Sequence, residues 1–306
     1  MGKFIEGEWY PDGAIITAGA DGTFQRQASR FRDRVTLDGS SGFRAEPGRY
    51  HLYVSYACPW AHRTLVVRAL KGLQALIPVH FANELTDRSW AFESPEASPY
   101  GDHHLYQVYL RADPAYTGRV TVPVLWDSQT QRIVNNESSE IIAWLDSLPS
   151  AAPRLRPQRW LSEIDQWADA LYEPLNNGVY RAGFASSQAA YDEAVAGVFA
   201  CLDGVEARLE GRRWLVGDRI TEADIRLFVT AFRFDGAYYS LFRCNLRRLA
   251  DYPNIQAHLV RLFALPGVSE TCNLAAARRG YASIRAVNPS GIVPAGPLGL
   301  VGVVGP

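Results

Sequence analysis

The stretch YVSYACPWAHRTLVVRALKGL, Tyr53 to Leu73, constrains the fold of this chain more than any other. Its first part is extended in pattern and rich in Tyr and Val. Its second part carries helical apolar spacing and stops at Gly72. A cysteine, Cys58, stands at the junction, directly before Pro59 at the expected first helical turn. Proline costs no hydrogen bond there, because the N–H it lacks would have no partner within the helix. A cysteine so placed faces unpaired N–H groups and the positive end of the helix dipole, and both stabilise a thiolate. The competing reading is a buried cysteine acting as a small hydrophobe, and position alone leaves the two open.

Cys201, Cys244 and Cys272 lie far from Cys58 and from one another, and no CxxC pair occurs. That spacing argues against a zinc site and against a disulfide framework. The three read as structural. With no resolving thiol three residues away, chemistry at Cys58 implies a mixed disulfide with an external thiol.

Around this junction, RYHLYVSYA predicts a strand, IPVHFAN a second and VTVPVLWD a third, and RIVNNESSEIIAWLDSL runs from a strand into a helix. Strand, helix, strand, strand pair and closing helix is the order of a thioredoxin-like α/β domain, assigned to residues 46–149. Pro123 inside a Val-rich run argues against a central strand. A cis Val122–Pro123 bond at the strand's entry reconciles the two. Glu137 and Ser138 fall at a strand-to-helix junction, where a carboxylate, a hydroxyl and free N–H groups suit a zwitterionic ligand. A plain N-cap by Asn136 or Ser138 is the simpler account of those residues taken alone.

Residues 1–45 read as an N-terminal extension packed onto the body, since Trp9, Phe24 and Phe31 need burial. Beyond Pro149 the pattern changes. APRLRP resembles a linker, and 160–175, 188–210, 221–234 and 252–265 carry helical spacing, which makes 150–285 an all-helical domain. Thr221 and Asp224 form a capping-box variant at one helix start. Residues 286–306, rich in Gly and Pro, are expected to form an extended tail.

Lys+Arg number 31 against 32 Asp+Glu, so no global basic surface for nucleic acid is expected. No apolar run reaches the length of a membrane span, and the start lacks a signal peptide's apolar core. Glu6 stands where a myristoylation signal wants Ser or Thr. A soluble cytoplasmic protein without metal is the expectation.

Together, YVSYACPWAHRTLVVRALKGL, YTGRVTVPVLWD, IVNNESSEII, NNGVYRAGFA, LVGDRITEADIRLF, RFDGAYYSLFRCNLRRLADYPN and NPSGIVPAGP resemble the glutathionyl-hydroquinone reductases, the Xi class of glutathione transferases. The resemblance runs from about Gly22 to Pro297. It implies the glutathione transferase fold, a homodimer and reduction of glutathionyl-hydroquinones with glutathione as co-substrate. By motif, Cys58 matches the nucleophile. Trp90 matches the tryptophan over glutathione, and Arg119, Val120, Thr121 and Val122 match the stretch that binds its backbone and carboxylate. Glu137 and Ser138 match the γ-glutamyl anchor. Tyr180 matches a proton donor/acceptor, and Tyr238 and Tyr281 match tyrosines on the quinol side. The last motif departs from the family: aligning Tyr281 takes a one-residue deletion before Asn288, without which the tyrosine falls on Gly280. A broader thioltransferase or dehydroascorbate reductase would use the same cysteine with less need of an aromatic pocket. A non-catalytic protein of this fold would not need Cys58 or the Glu137–Ser138 pair.

Overall fold

The structure is a computed structural model and describes residues 3–10, 17–86, 89–297 and 299. Residues 1–2 and 11–16 of the expected extension, and 298 and 300–306 of the expected tail, lie outside the described residues. The chain divides into two compact units, Met1–Ile15 with Gln27–Ala152 and Ile16–Arg26 with Pro153–Pro306.

The first unit is built on a four-stranded mixed sheet. Its strands are β1 (Tyr50–Val54), β2 (Val79–Phe81), β3 (Val124–Asp127) and β4 (Arg132–Asn135), in the order β4-β3-β1-β2. β1 and β2 are parallel, with Leu52 opposite Val79, and a parallel pair needs a crossover, which α1 (Pro59–Leu70) supplies. β3 runs antiparallel to both β1 and β4, as a short hairpin connection allows. Tyr50, Leu52, Tyr53 and Val54 have no solvent exposure and His51 is half-buried, so β1 is covered on both faces. The sequence suggests an amphipathic α1, but every residue from Ala61 to Val67 is buried, Arg63 included. Its end is as expected: Gly72 takes φ +66°, where a side chain would be strained.

Val122–Pro123 is cis, and β3 begins at Val124, so the proline stands outside the ladder and removes none of its hydrogen bonds. Sequence reading misses α2 (Leu105–Ala112), which lies between β2 and β3 and buries Leu105, Val108 and Tyr109. Two turns of helix with one narrow apolar stripe are a weak periodic signal. α3 (Ser138–Ser147) follows β4 and packs on α1. Residues Lys3–Ile5 and Glu8–Tyr10 form a hairpin whose Phe4 N–H donates to Gly118 O at 2.9 Å.

The second unit is helical. It contains α4 (Leu161–Leu171), a π-helical turn (Tyr172–Asn176), α5 (Gly178–Gly183), α6 (Gln188–Leu209) and α7 (Glu222–Arg233). A second π turn (Phe234–Tyr238), the short α8 (Tyr239–Leu241), α9 (Pro253–Phe263) and α10 (Leu274–Ala282) complete it. All of α7 is buried. At its start the Thr221 N–H and hydroxyl donate to Asp224 Oδ2 at 2.8 and 2.9 Å, so the capping pair forms as expected. Asp224 Oδ1 also accepts from Leu215 N and lies 2.9 Å from His258 Nε2, which ties α9 to α7. α5, α8, α10 and both π turns are absent from the sequence reading. Residues 291–297 carry no regular secondary structure, and Arg278 hydrogen-bonds to Pro294 O within this segment.

Candidate active site

Cys58 is the N-cap of α1, with φ −83° and ψ 118°, and Pro59 holds the first helical position. The thiol is 9% exposed and donates to the Val122 carbonyl at 3.3 Å. This contact sets the Val122 carbonyl, at the entry to β3, beside the cysteine at the helix N-terminus.

Tyr109 holds the segment 119–122 in place, and sequence reasoning misses it along with α2. Its hydroxyl donates to Thr121 O at 2.8 Å and accepts from Thr121 N at 3.2 Å and from Asn136 Nδ2 at 3.3 Å. Phe31 and Tyr116 pack against its ring, and Tyr116 OH donates to Arg119 O at 2.6 Å. One buried phenol therefore joins the strand entry beside Cys58 to the residue preceding Glu137.

Glu137 is itself the N-cap of α3, in place of the Asn136 or Ser138 cap considered from sequence. Its Oε1 accepts from Ser139 N (3.1 Å) and Ser139 Oγ (2.9 Å), and its Oε2 accepts from Ser29 Oγ (2.9 Å). Asn136 is occupied in pairing with Phe31: Asn136 N donates to Phe31 O at 3.0 Å, and Phe31 N donates to Asn136 Oδ1 at 3.2 Å. Ser138 is the first residue of α3 and is buried. Trp90 lies half-buried in a small hairpin, paired with Leu85. Among the described residues no hydrogen bond joins Trp90 to Cys58, Val122 or Glu137.

In the helical unit, three tyrosines from distant positions converge. Tyr180 on α5, Tyr238 at the end of the second π turn and Tyr281 on α10 meet at their hydroxyls. Tyr281 OH lies 2.6 Å from Tyr180 OH and 2.9 Å from Tyr238 OH. The residue in the cluster is Tyr281 rather than its neighbour Gly280. Phe242 supports all three rings, with each centroid 5.4 Å from its own. Gly183 lets it do so, since a Cβ at that position would stand 2.4 Å from the Phe242 ring. Burial pushes the Tyr238 and Tyr281 hydroxyls well above the ordinary phenol range, with Tyr180 adding to the effect on both and Arg233 opposing it. Both are neutral donors at physiological pH, and Tyr180 is the half-buried member.

Among the described residues, no group of three or more His, Cys, Asp or Glu is placed to hold a metal ion. No helix among them is long and apolar enough to cross a membrane.

A thioredoxin-like sheet with a cysteine at the first helix N-terminus, joined in sequence to a helical unit, defines a class. The family model for the glutathione S-transferase N-terminal domain matches residues 57–148, and that for the C-terminal domain matches residues 188–261. The chain belongs to the glutathione S-transferase family, in the Xi class of glutathionyl-hydroquinone reductases. It is 49% identical to the glutathionyl-hydroquinone reductase PcpF of Sphingobium chlorophenolicum, over 97% of this chain and 96% of that one. It is 46% identical to the glutathionyl-hydroquinone reductase YqjG of Escherichia coli, over 97% and 95%. The glutathione-bound structure of YqjG superposes with a TM-score of 0.87 over 97% of this chain and 96% of that one, at 42% identity. The Xi glutathione S-transferase of Phanerochaete chrysosporium does so with a TM-score of 0.88 over 92% and 95%, at 44% identity.

Proposed function

We propose that this chain reduces glutathionyl-hydroquinones to hydroquinones with glutathione, releasing oxidised glutathione through a Cys58–glutathione mixed disulfide. The observation that carries the reading is the near full-length relationship to two reductases of that name. The tyrosine cluster favours an aromatic leaving group over a small disulfide, because three converging hydroxyls suit oxygens on which charge builds.

In the first step the Cys58 thiolate attacks the sulfur of the glutathionyl substituent. The sulfur–carbon bond breaks with its electron pair on the hydroquinone carbon, which takes a proton supplied through Tyr180. Tyr238 and Tyr281 support the Tyr180 hydroxyl and the quinol oxygens as neutral donors. In the second step a glutathione thiolate attacks the glutathione sulfur of the mixed disulfide, and oxidised glutathione leaves with Cys58 restored as thiolate. The proton from that second glutathione replaces the one Tyr180 gave up.

The glutathione moiety is held by the main chain of Arg119 to Val122, beneath Trp90 and against Glu137 and Ser138. The chemistry of these groups fits the tripeptide. An ionised carboxylate offers about four acceptor positions. Three at Glu137 are taken by Ser139 N, Ser139 Oγ and Ser29 Oγ, which leaves one for the γ-glutamyl ammonium. The unpaired N–H groups at the start of α3 suit its carboxylate. The same reading includes a homodimer and a cytoplasmic enzyme, which sedimentation and cell fractionation test.

The deciding assay gives the purified protein glutathione with a panel of glutathionyl-hydroquinones, beside a small mixed disulfide. Turnover of the conjugates should be the faster and should vanish in Cys58→Ala. Faster reduction of the small disulfide would instead assign a general thioltransferase.

A further inference from the structure

We propose that Arg26, in the N-terminal extension, is a positioning residue for proton transfer: its guanidinium holds Tyr180 in place and offsets negative charge on that hydroxyl as the proton leaves. This rests on the reading of Tyr180 given above.

Arg26 belongs to the helical unit although in sequence it lies between the two segments of the sheet unit. A small hairpin, Thr17–Ala18 paired with Phe24–Gln25, leads directly to it. That hairpin is fastened to the loop before α6. Ser186 N donates to Gly22 O at 3.1 Å and Ser187 Oγ donates to Asp21 O at 2.9 Å. Gly22 approaches so closely, at φ +84°, that a Cβ there would stand 2.7 Å from Ser187 Oγ. Phe24 adds a ring contact with Phe184 at 5.4 Å. The hairpin is therefore fixed against the elements that flank α5, and α5 carries Tyr180.

From that base the Arg26 guanidinium carbon sits 4.8 Å from the Tyr180 ring centroid and 5.4 Å from the Phe24 centroid. Its Nε donates to Asn177 Oδ1 at 2.9 Å. Asn177 is the residue just before α5 and is itself buried, its Nδ2 donating to Glu173 at 3.3 Å. The cation thus lies over one tyrosine of the cluster, oriented by a residue three positions before it. A cation over an aromatic face is attracted by the ring's quadrupole, and the attraction grows as the phenol gives up its proton and the ring system gains charge. Tyr238 and Tyr281 sit at the other end of the hydrogen-bond chain, fully or almost fully buried; burial outweighs the Arg233 charge that acts on both, and no cation is stacked on either ring among the described residues. The arrangement singles out Tyr180 as the member that releases the proton.

The test follows Tyr180 itself. Protein carrying 13C at the tyrosine ζ position is titrated by NMR, with the Tyr180 signal identified by its loss in Tyr180→Phe. In Arg26→Gln the midpoint of that signal should rise by about one pH unit or more, the usual effect of losing an opposite charge at this range. In Arg26→Lys, which keeps the charge but not the Nε–H bond to Asn177, most of the shift should be restored. The pH profile for glutathionyl-hydroquinone reduction should move with the midpoint, while reduction of a small disulfide should keep its profile. An unchanged midpoint in Arg26→Gln overturns the inference, as does an Arg26→Lys variant indistinguishable from Arg26→Gln, which would mean a purely structural anchor. Failure of the unsubstituted protein to turn over any glutathionyl-hydroquinone would overturn the functional reading instead, and the NMR midpoints would still judge Arg26.

Discussion

Tyr281 stands at the centre of the tyrosine cluster, and that position makes its loss unequal to the loss of either neighbour. Its hydroxyl is the hydrogen-bond partner of both Tyr180 (2.6 Å) and Tyr238 (2.9 Å). Tyr281→Phe removes both bonds and leaves the Tyr238 hydroxyl, which has no solvent exposure, with Tyr180 as its one remaining phenol neighbour. A buried polar group that loses its partner costs about 1–3 kcal/mol. Tyr238→Phe removes one bond and leaves Tyr281 paired with Tyr180, a loss of about 0.5–1.5 kcal/mol. The difference of roughly 1 kcal/mol corresponds to about a five- to tenfold change in a local opening equilibrium. Because the chain has two units, a single unfolding midpoint is a poor measure, and amide hydrogen exchange across Phe234–Phe242 and α10 is the direct one. Exchange there should quicken several-fold more in Tyr281→Phe than in Tyr238→Phe. Both variants should also slow glutathionyl-hydroquinone reduction by about 10- to 1000-fold while sparing a small disulfide. Equal exchange rates in the two variants would refute the reasoning, because they would mean that Tyr238 recovers a partner once Tyr281 is gone.

Cys58 should be the one thiol alkylated near neutral pH, since burial pushes Cys201 to about 11, Cys244 to about 12 and Cys272 to about 11; mass spectrometry after brief iodoacetamide treatment checks this, and labelling of another cysteine first would contradict it. Tyr109→Phe breaks the link between Thr121 and Asn136 and should raise the Kd for glutathione about 3- to 10-fold by calorimetry, with kcat on the quinol substrate little changed. His51 Nδ1 lies 2.9 Å from His80 Nε2, and burial lowers the pKa of both, with His51 helping to take His80 to about 4. The unfolded chain, with imidazoles near 6.5, then binds more protons in between, so stability is full above about pH 6.5 and falls as pH drops toward 4. Amide protection factors in β1 and β2 measured across that window should decline, and His80→Phe should flatten the decline; an unchanged slope would remove the pair as its source. Gly183→Ala drives a Cβ into the Phe242 ring and should cost about 1–3 kcal/mol by overpacking, read as faster exchange in α5.

The parts of this molecule that are legible in sequence are those governed by local backbone chemistry. Cys58–Pro59 reads as a helix start because proline fits only the first turn, and Gly72 reads as its end because few other residues tolerate positive φ. Pro123 marks a cis bond for a similar reason: a proline cannot serve a central strand, so the strand begins after it. Glu137 as N-cap is a near miss, because Asp, Asn and Ser are the usual caps and a longer side chain must fold back to reach Ser139 N. The missed helices fail for other reasons. α5 is six residues with glycine at both ends, and its helicity is imposed by packing, Gly183 against Phe242 and Gly178 against Val198. In α10 Leu274 is followed by three alanines, which satisfy a helical period at any register and so mark no face.

The tyrosine cluster could not be reached from sequence by any such rule, and the reason is geometric. Tyr180 and Tyr281 are 101 residues apart, and Tyr238 and Tyr281 are 43 apart, while helical periodicity relates only residues three or four apart. Only the resemblance to a family named these three. The structure adds why the chain can bring them together. Each π turn inserts one residue beyond the α repeat, so the residues that follow face a different side from the one a regular helix would give them. The first π turn, Tyr172–Asn176, comes directly before the segment bearing Tyr180, and the second, Phe234–Tyr238, ends on Tyr238 itself. Asn176, from the first, donates through Nδ2 to Arg226 O at 3.0 Å and Thr230 Oγ1 at 2.9 Å on α7, the helix that runs into the second. One buried amide therefore fixes the wide turn before Tyr180 to the helix that presents Tyr238. An apolar period of 3.6 read along 160–175 runs into the first turn without marking it, and the reading over 221–234 stops at Phe234, where the second turn begins. The sequence pattern records that these segments are helical and inward-facing. The aim of their tyrosines depends on the inserted residues and on the amide that locks them.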